Sequence, residues 1–220
     1  MEILKPILSN LILEGHKKDF QMNIAKEYLQ IIILNYIYSN PKHSNMFFYG
    51  GSCLSYCFSL PRLSEDLDFV DSKKEINIEE LSKDLKNYFN NNTDLKVETS
   101  TQKFRIFLKF PILREIGISS DNVSPKEVLI IKLEIFYNIL IKVKGRDYYD
   151  LLWYLEKGIK PNLRCIEGVK NMEELKLKLL KVVSNIDSQS IKLDLDAFFD
   201  DNNFINNLSR NIKSILEKSI

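Results

Sequence analysis

Asp66 and Asp68 stand two residues apart in Glu65-Asp66-Leu67-Asp68-Phe69-Val70, flanked by apolar residues. On a β-strand that spacing sends both side chains to one face. Paired carboxylates repel unless a cation sits between them, and a set of hard oxygen donors suits Mg²⁺ or Mn²⁺. Fourteen to eighteen residues earlier lies Gly50-Gly51-Ser52. A diglycine lets the backbone pass close to a bulky anion. A serine at a helix start adds a hydroxyl where unpaired N–H groups already favour phosphate. Ser64, just ahead of the acids, offers a second hydroxyl. A phosphate cradle followed by twin acids is the equipment of metal-assisted phosphoryl or nucleotidyl transfer from a nucleoside triphosphate. Alone, each part is commonplace: an Asp-x-Asp is usually a solvated strand end and a Gly-Gly usually a turn. Their conjunction at this spacing carries the argument.

Two further stretches could contribute. Leu129-Ile130-Ile131-Lys132-Leu133-Glu134-Ile135-Phe136 is an apolar run bearing one cation and one acid. Read as a strand, it puts Lys132 and Glu134 on one face, where Glu134 would be a third carboxylate and a candidate general base. The plainer reading is a cross-strand ion pair. Lys144-Gly145-Arg146-Asp147-Tyr148-Tyr149-Asp150 opens a later helix. There Asp147 can cap the helix, while Lys144 and Arg146 offer point and fork charges for phosphates. An N-capping aspartate beside a structural arginine would look the same. Leu193-Asp194-Leu195-Asp196 repeats the Asp-x-Asp spacing without a glycine cradle, and reads as a solvated acidic loop.

The elements that must hold these residues follow from periodicity and breakers. Residues 19–38 have helical rhythm, with Ile24, Tyr28, Ile31, Ile32, Leu34 and Ile37 near i, i+3, i+4 spacing. A strand at 46–49 leads into a helix at 52–59. Residues 78–90 form an amphipathic helix with Leu81, Leu85, Tyr88 and Phe89 inward. Strands are expected at 95–99 and 103–110, the second with Phe104, Ile106, Leu108 and Phe110 alternating with Arg105, Phe107 and Lys109, as suits a half-buried strand. A loop spans Gly117 to Ser124, with Pro125 after it. Beyond Leu155 the pattern is helical, with helices at 173–186 and 203–218.

The segment from Gly50 to Phe69 resembles the Gly-Gly-Ser/Thr … Arg-x-Ser-x-Asp-Leu-Asp-Phe signature of the AbiEii/AbiGii-type nucleotidyltransferase toxins. The resemblance extends to the Lys-x-Glu strand and to the Lys-Gly-Arg-Asp-x-Tyr-Asp-Leu-x-Trp-Tyr block at 144–154. It implies an α/β (α+β) fold: a DNA-polymerase-β-like core with a mixed sheet flanked by helices, residues 1–144, and a C-terminal helical bundle, residues 145–220. It implies a metal-dependent enzyme that moves a nucleoside monophosphate from an NTP to an RNA acceptor, the tRNA 3′ end. The setting it implies is a toxin–antitoxin or abortive-infection system giving antiviral defence, with a cognate antitoxin as partner. On this basis Asp66, Asp68, Glu134 and Asp147 are the candidate catalytic residues, with Asp66 and Asp68 as metal ligands. Gly50, Gly51, Ser52, Ser64, Lys132, Lys144 and Arg146 are the candidate nucleotide-binding residues. Relatives usually carry an insert between the strand and the block, including a helix with a Gly-Lys-x-x-Ala-Leu pattern; here only residues 137–143 intervene. A second registration therefore makes 126–141 that helix, with Lys132 as its lysine. The shortened region leaves open a catalytically degenerate binding module, or a phosphotransferase acting on a non-RNA hydroxyl.

The bulk composition sets limits. With 220 residues, 45% hydrophobic and 28% charged, the chain is globular. Its net charge of +1 supplies no global field for nucleic acid, so an RNA contact must be a local basic patch. Three cysteines, without a Cys-x-x-Cys pair, argue against a disulfide framework or zinc ribbon. Cys53 and Cys57 read as small core residues four apart on a helix. Two histidines, His16 and His43, show no partner pattern. The start of the chain does not read as a secretory signal, and no apolar run is long enough to span a membrane, so a cytoplasmic protein is expected.

Overall fold

The computed structural model describes residues 4–118, 128–137, 144–163, 166 and 168–220. The expected loop at 117–124 with Pro125, and residues 138–143, therefore lie almost wholly outside the described residues. The chain divides into two compact units, Met1–Ile141 and Lys142–Ile220.

The first unit is a five-stranded mixed sheet with helices. In chain order it runs α1 (Leu4–Leu13), α2 (Lys18–Ser39), β1 (Phe47–Tyr49), α3 (Gly50–Phe58), β2 (Asp66–Val70), α4 (Ile78–Asn92), β3 (Glu98–Gln102), β4 (Arg105–Phe110) and β5 (Leu129–Phe136). The strand order is β1-β2-β5-β4-β3. Only the β2–β5 pair is parallel; the other three are antiparallel. The last strand in sequence thus enters the middle of the sheet, between the strand bearing the twin acids and the β3–β4 hairpin.

Each strand near the centre alternates. In β2, Leu67 and Phe69 are buried while Asp66, Asp68 and Val70 are half-buried; in β5, Ile131, Leu133 and Ile135 are buried while Lys132 and Glu134 are half-buried. The apolar set packs with α1, α2 and α4 into one core that includes Leu8, Leu29, Ile33, Leu81, Leu85 and Phe89. The polar set is left on the opposite face. Because the side-chain period is two, burial of Leu67 and Phe69 obliges both aspartates to face the other way.

The alternative helix is overturned by its described part: 129–136 is a strand, and its β-branched residues fill the pleated core face. Helix α3 begins at Gly50, two residues earlier than expected, so the diglycine is its first turn. Strand β3 lies at 98–102 in place of 95–99, and Phe104 falls in the two-residue turn of the hairpin, 39% exposed. In α2 the buried positions are Ala25, Leu29, Ile33 and Ile37 with Gln21, Asn23 and Gln30, while Ile31 is 56% exposed. The Ile31–Leu34 run is apolar all round, so periodicity could not select its inner face; packing against the sheet did. His43 is buried, its Nε2 3.0 Å from Asp84 Oδ2 on α4, a partner 41 residues away in sequence. Cys53 is half-buried and Cys57 exposed, so the second is not a core residue.

The second unit is helical: α5 (Gly145–Glu156), α6 (Met172–Ser184), α7 (Ser188–Asp196) and α8 (Asn202–Ser219). Leu193 to Asp196 is the last turn of α7, not a loop. Ile191 and Leu195 anchor it in the core at helical spacing, and Asp194 accepts from the N–H of Gly145 at the start of α5. A Cβ on Gly145 would stand 2.7 Å from Ile191 Cα, so only glycine admits this approach. Among the described residues no helix is long and apolar enough to cross a membrane.

Candidate functional site

Strand register assembles the site. Tyr49 on β1 pairs with Asp68 on β2, Asp68 with Glu134 on β5, and Glu134 with Arg105 on β4. One residue pair along, Asp66 lies beside Lys132, and Lys132 beside Phe107. Two rows therefore cross the polar face of the sheet, one acid–acid–arginine with a flanking tyrosine, the other acid–lysine–phenylalanine. Side chains directly opposite on neighbouring strands stand about 5 Å apart at Cβ, close enough for every neighbour in a row to interact.

The charges are interlocked. Lys132 Nζ lies 2.8 Å from Asp66 Oδ2 and 3.2 Å from Glu134 Oε1. Arg105 Nε donates to the same Glu134 oxygen at 2.6 Å. Burial pushes the Glu134 carboxyl up, but Lys132 and Arg105 outweigh it and hold the group below its ordinary value. Burial likewise disfavours the Lys132 ammonium, yet Asp66 and Glu134 keep it above the usual lysine value. Both are charged at neutral pH. Tyr49 is pushed up to about 12, first by burial and then by the negative charges of Asp68 and Glu134, so its phenol stays protonated.

Helix α3 presents its first turn to this face. Gly50 has φ +78°, and a Cβ there would overlap the Asp68 carboxylate. A Cβ on Gly51 would stand 2.7 Å from Arg62 Nη2 and 3.0 Å from Ser64 Oγ. The two glycines thus bring a helix N-terminus against Asp68 on one side and against the Arg62–Ser64 loop on the other. Ser52 is fully buried, and its hydroxyl donates to the Asp66 carbonyl, pinning α3 to β2. Ser64 is buried as well.

Gln30, which nothing in its sequence surroundings singles out, braces this loop. It is fully buried on α2; its Nε2 donates to the carbonyls of Glu65 (2.9 Å) and Ser64 (3.3 Å), and its Oε1 accepts from Tyr56 Oη at 2.5 Å. One amide ties α2, α3 and the entry to β2 together. Tyr49 and Arg105 also escaped sequence reasoning, because membership of the site depends on β1–β2 and β4–β5 pairing, which no local pattern encodes.

The first unit therefore gathers Gly50, Gly51, Ser52, Ser64, Asp66, Asp68, Lys132 and Glu134. Lys144, Arg146 and Asp147 belong to the second unit. There Asp147 sits at the third position of α5 and accepts from the Lys144 N–H at 2.7 Å, the reciprocal half of a capping box. The Arg146 guanidinium lies over the Phe198 ring, 5.3 Å from its centroid. An apolar cavity of about 680 Å³ in this unit, lined by Leu151, Tyr154, Leu155, Leu175 and Leu179 among others, contains none of the candidate site residues.

Among the described residues, no three His, Cys, Asp or Glu side chains are gathered tightly enough to hold a metal by themselves. Mg²⁺ does not need that: it is commonly held by one or two carboxylates together with substrate phosphates. Asp66 and Asp68 on one strand face, beside a glycine-opened helix terminus, fit that pattern.

Residues 32–138 match the family model described as nucleotidyl transferase AbiEii toxin, type IV toxin–antitoxin system. Among solved structures, a candidate nucleotidyltransferase from H. pylori is 18% identical, with 88% of this chain and 94% of that one covered and a TM-score of 0.50. JHP933 from Helicobacter pylori is 19% identical, with 88% and 91% covered and a TM-score of 0.49. At such identities the first likeness concerns the fold alone. None of the curated proteins matches the chain.

Proposed function

We propose that this chain, whose residues 32–138 carry the nucleotidyl transferase AbiEii toxin domain, is a metal-dependent nucleotidyltransferase toxin that transfers an NMP unit from an NTP to the 3′ end of an RNA, tRNA being the leading acceptor. The observation that carries the reading is the approach of the α3 N-terminus to the Asp68 carboxylate, made possible by Gly50. It supports the reading because helix-terminal N–H groups suit phosphate and paired carboxylates suit a cation. Asp66 and Asp68 would hold a divalent ion, which supplies charge neutralisation for the triphosphate and for the leaving pyrophosphate. The acceptor hydroxyl oxygen forms a bond to the α-phosphorus, the bond from that phosphorus to the β-phosphate oxygen breaks, and pyrophosphate leaves. The hydroxyl proton passes to a carboxylate of the site.

The remaining roles follow from position. Since the Ser52 hydroxyl is committed to Asp66, the first-turn N–H groups of α3 serve the phosphates, and Gly51 keeps that approach clear. Ser64 and Arg62 support the turn from below. Lys132 acts as a tethered counter-ion that holds Asp66 and Glu134 together. Lys144 and Arg146 are proposed for the pyrophosphate or the RNA end, with Asp147 positioning Arg146 or the acceptor hydroxyl. A cytoplasmic location and a cognate antitoxin encoded nearby belong to the same proposal.

A second reading draws on Lys132. An ammonium bridging Asp66 and Glu134 balances the acids without a metal, as a nucleotidyltransferase-fold binding module without chemistry would need. One assay separates the readings. Purified protein is incubated with Mg²⁺, total tRNA and NTPs labelled at the α- or the γ-phosphate. Transfer of α-label that vanishes in Asp66→Asn and Asp68→Asn supports the proposal. γ-Label on the acceptor would make it a phosphotransferase, and no transfer with any NTP would favour the inert module. Growth inhibition that persists in both variants would refute the assignment of the site.

A further inference from the structure

Among the described residues, Arg105 uses one of its five N–H donors. Its Nε is fixed 2.6 Å from Glu134 Oε1, and both Nη groups lack a partner among the described residues. The side chain is 45% exposed, whereas its holder Glu134 is 15% exposed. An ordinary surface pair would have both ends in water and little geometric constraint. Here a carboxylate that Lys132 already neutralises spends the same oxygen on a second cation. The result is a guanidinium oriented at one nitrogen and vacant at the other two, the condition for a forked grip on an anion.

Its place in the sheet says which anion. Arg105 lies in the row Tyr49–Asp68–Glu134–Arg105–Gln102, two strands from Asp68, so roughly 10 Å separates the two Cα atoms. An arginine side chain and a polyphosphate together span that gap. Between them β5 contributes Lys132 and Glu134 to this face. We infer that Arg105, held by Glu134, is the arm that binds the polyphosphate end of the nucleotide, and that Glu134 acts as its positioning residue in place of completing a metal cage. The inference rests on the nucleotidyltransferase reading for the nature of the ligand, but its test needs neither metal nor transfer.

The probes are inorganic triphosphate and the four ribonucleoside triphosphates, titrated calorimetrically into the full chain without divalent metal. The expected result is a 10- to 100-fold weakening of both in Arg105→Gln, the range for loss of charge-assisted hydrogen bonds. Arg105→Lys, which keeps the charge but loses the fork, should fall between and guards against a misfolded glutamine variant. Glu134→Gln should weaken triphosphate binding several-fold, and Glu134→Gln/Arg105→Gln should be no weaker than Arg105→Gln alone, a non-additivity that a merely structural role would not give. Triphosphate binding within twofold of wild type in Arg105→Gln overturns the inference, as does a wild-type protein that binds no triphosphate. A defect confined to tRNA binding overturns it too, and makes Arg105 a polynucleotide contact. Transfer surviving in Asp66→Asn would instead sink the functional reading, leaving the Arg105 titration to be judged separately.

Discussion

Replacing Gln30 with leucine removes one buried and two part-buried hydrogen bonds at nearly constant volume. The Tyr56 hydroxyl loses its acceptor, and the carbonyls of Ser64 and Glu65 lose a shared donor. A buried polar group left unpaired costs about 1–3 kcal/mol. The carbonyls retain a second lone pair and the 3.3 Å bond is the weakest of the three, so the sum should fall at roughly 2–4 kcal/mol. At about 2–4 °C per kcal/mol for a chain of this size, Gln30→Leu should lower the melting temperature of its unit by roughly 5–15 °C. A double-mutant cycle gives the sharper test. Tyr56→Phe alone strands Gln30 Oε1, whereas in Gln30→Leu/Tyr56→Phe neither group is left unpaired. The double variant should therefore be less destabilised than the sum of the singles by about 1 kcal/mol. Circular dichroism melts and urea titrations of the four proteins read this directly. A Gln30→Leu protein melting within 1 °C of wild type, or strict additivity across the cycle, would show that the brace does not hold the entry to β2.

Two other perturbations probe the site itself. Gly50→Ala imposes a left-handed backbone on alanine, costing about 1–2 kcal/mol, and drives a methyl into the Asp68 carboxylate. It should lower the melting temperature by several degrees and reduce nucleotide transfer further than stability alone explains, and wild-type turnover would count against the proposed cradle. The Glu134 carboxyl is held low by Lys132 and Arg105, so its contribution to stability is full above the ordinary glutamate value near 4.3 and is lost as pH falls through its lower folded value. Lys132, held high, contributes fully below the ordinary lysine value near 10.4 and is lost as pH rises through its higher folded value. The ion cluster is thus intact from about pH 5 to pH 10, and Glu134→Gln should flatten the acid limb of a stability–pH curve; an unchanged limb would refute the assignment.

How much of this was legible beforehand differs from residue to residue. Asp66-Leu67-Asp68-Phe69 and Lys132-Leu133-Glu134-Ile135 declare their strands and polar faces through a period of two, which survives any tertiary arrangement. Gly50-Gly51 announces a close approach because no other residue pair tolerates one as well. The inner face of α2 was not legible, since Ile31–Leu34 offers apolar surface in every direction and only the sheet chose among them. Asp194 looked like a loop acid until α5 came to rest its first N–H on it.

The chain by itself determined which residues share a face and where the backbone must turn tightly, because both follow from local stereochemistry. Tertiary structure alone decided that β5 inserts between β2 and β4. That single pairing sets Glu134 beside Asp68, Lys132 beside Asp66 and Arg105 beside Glu134. Strand order is a contest between whole sheets over buried apolar area, and no short window of sequence contains the competitors.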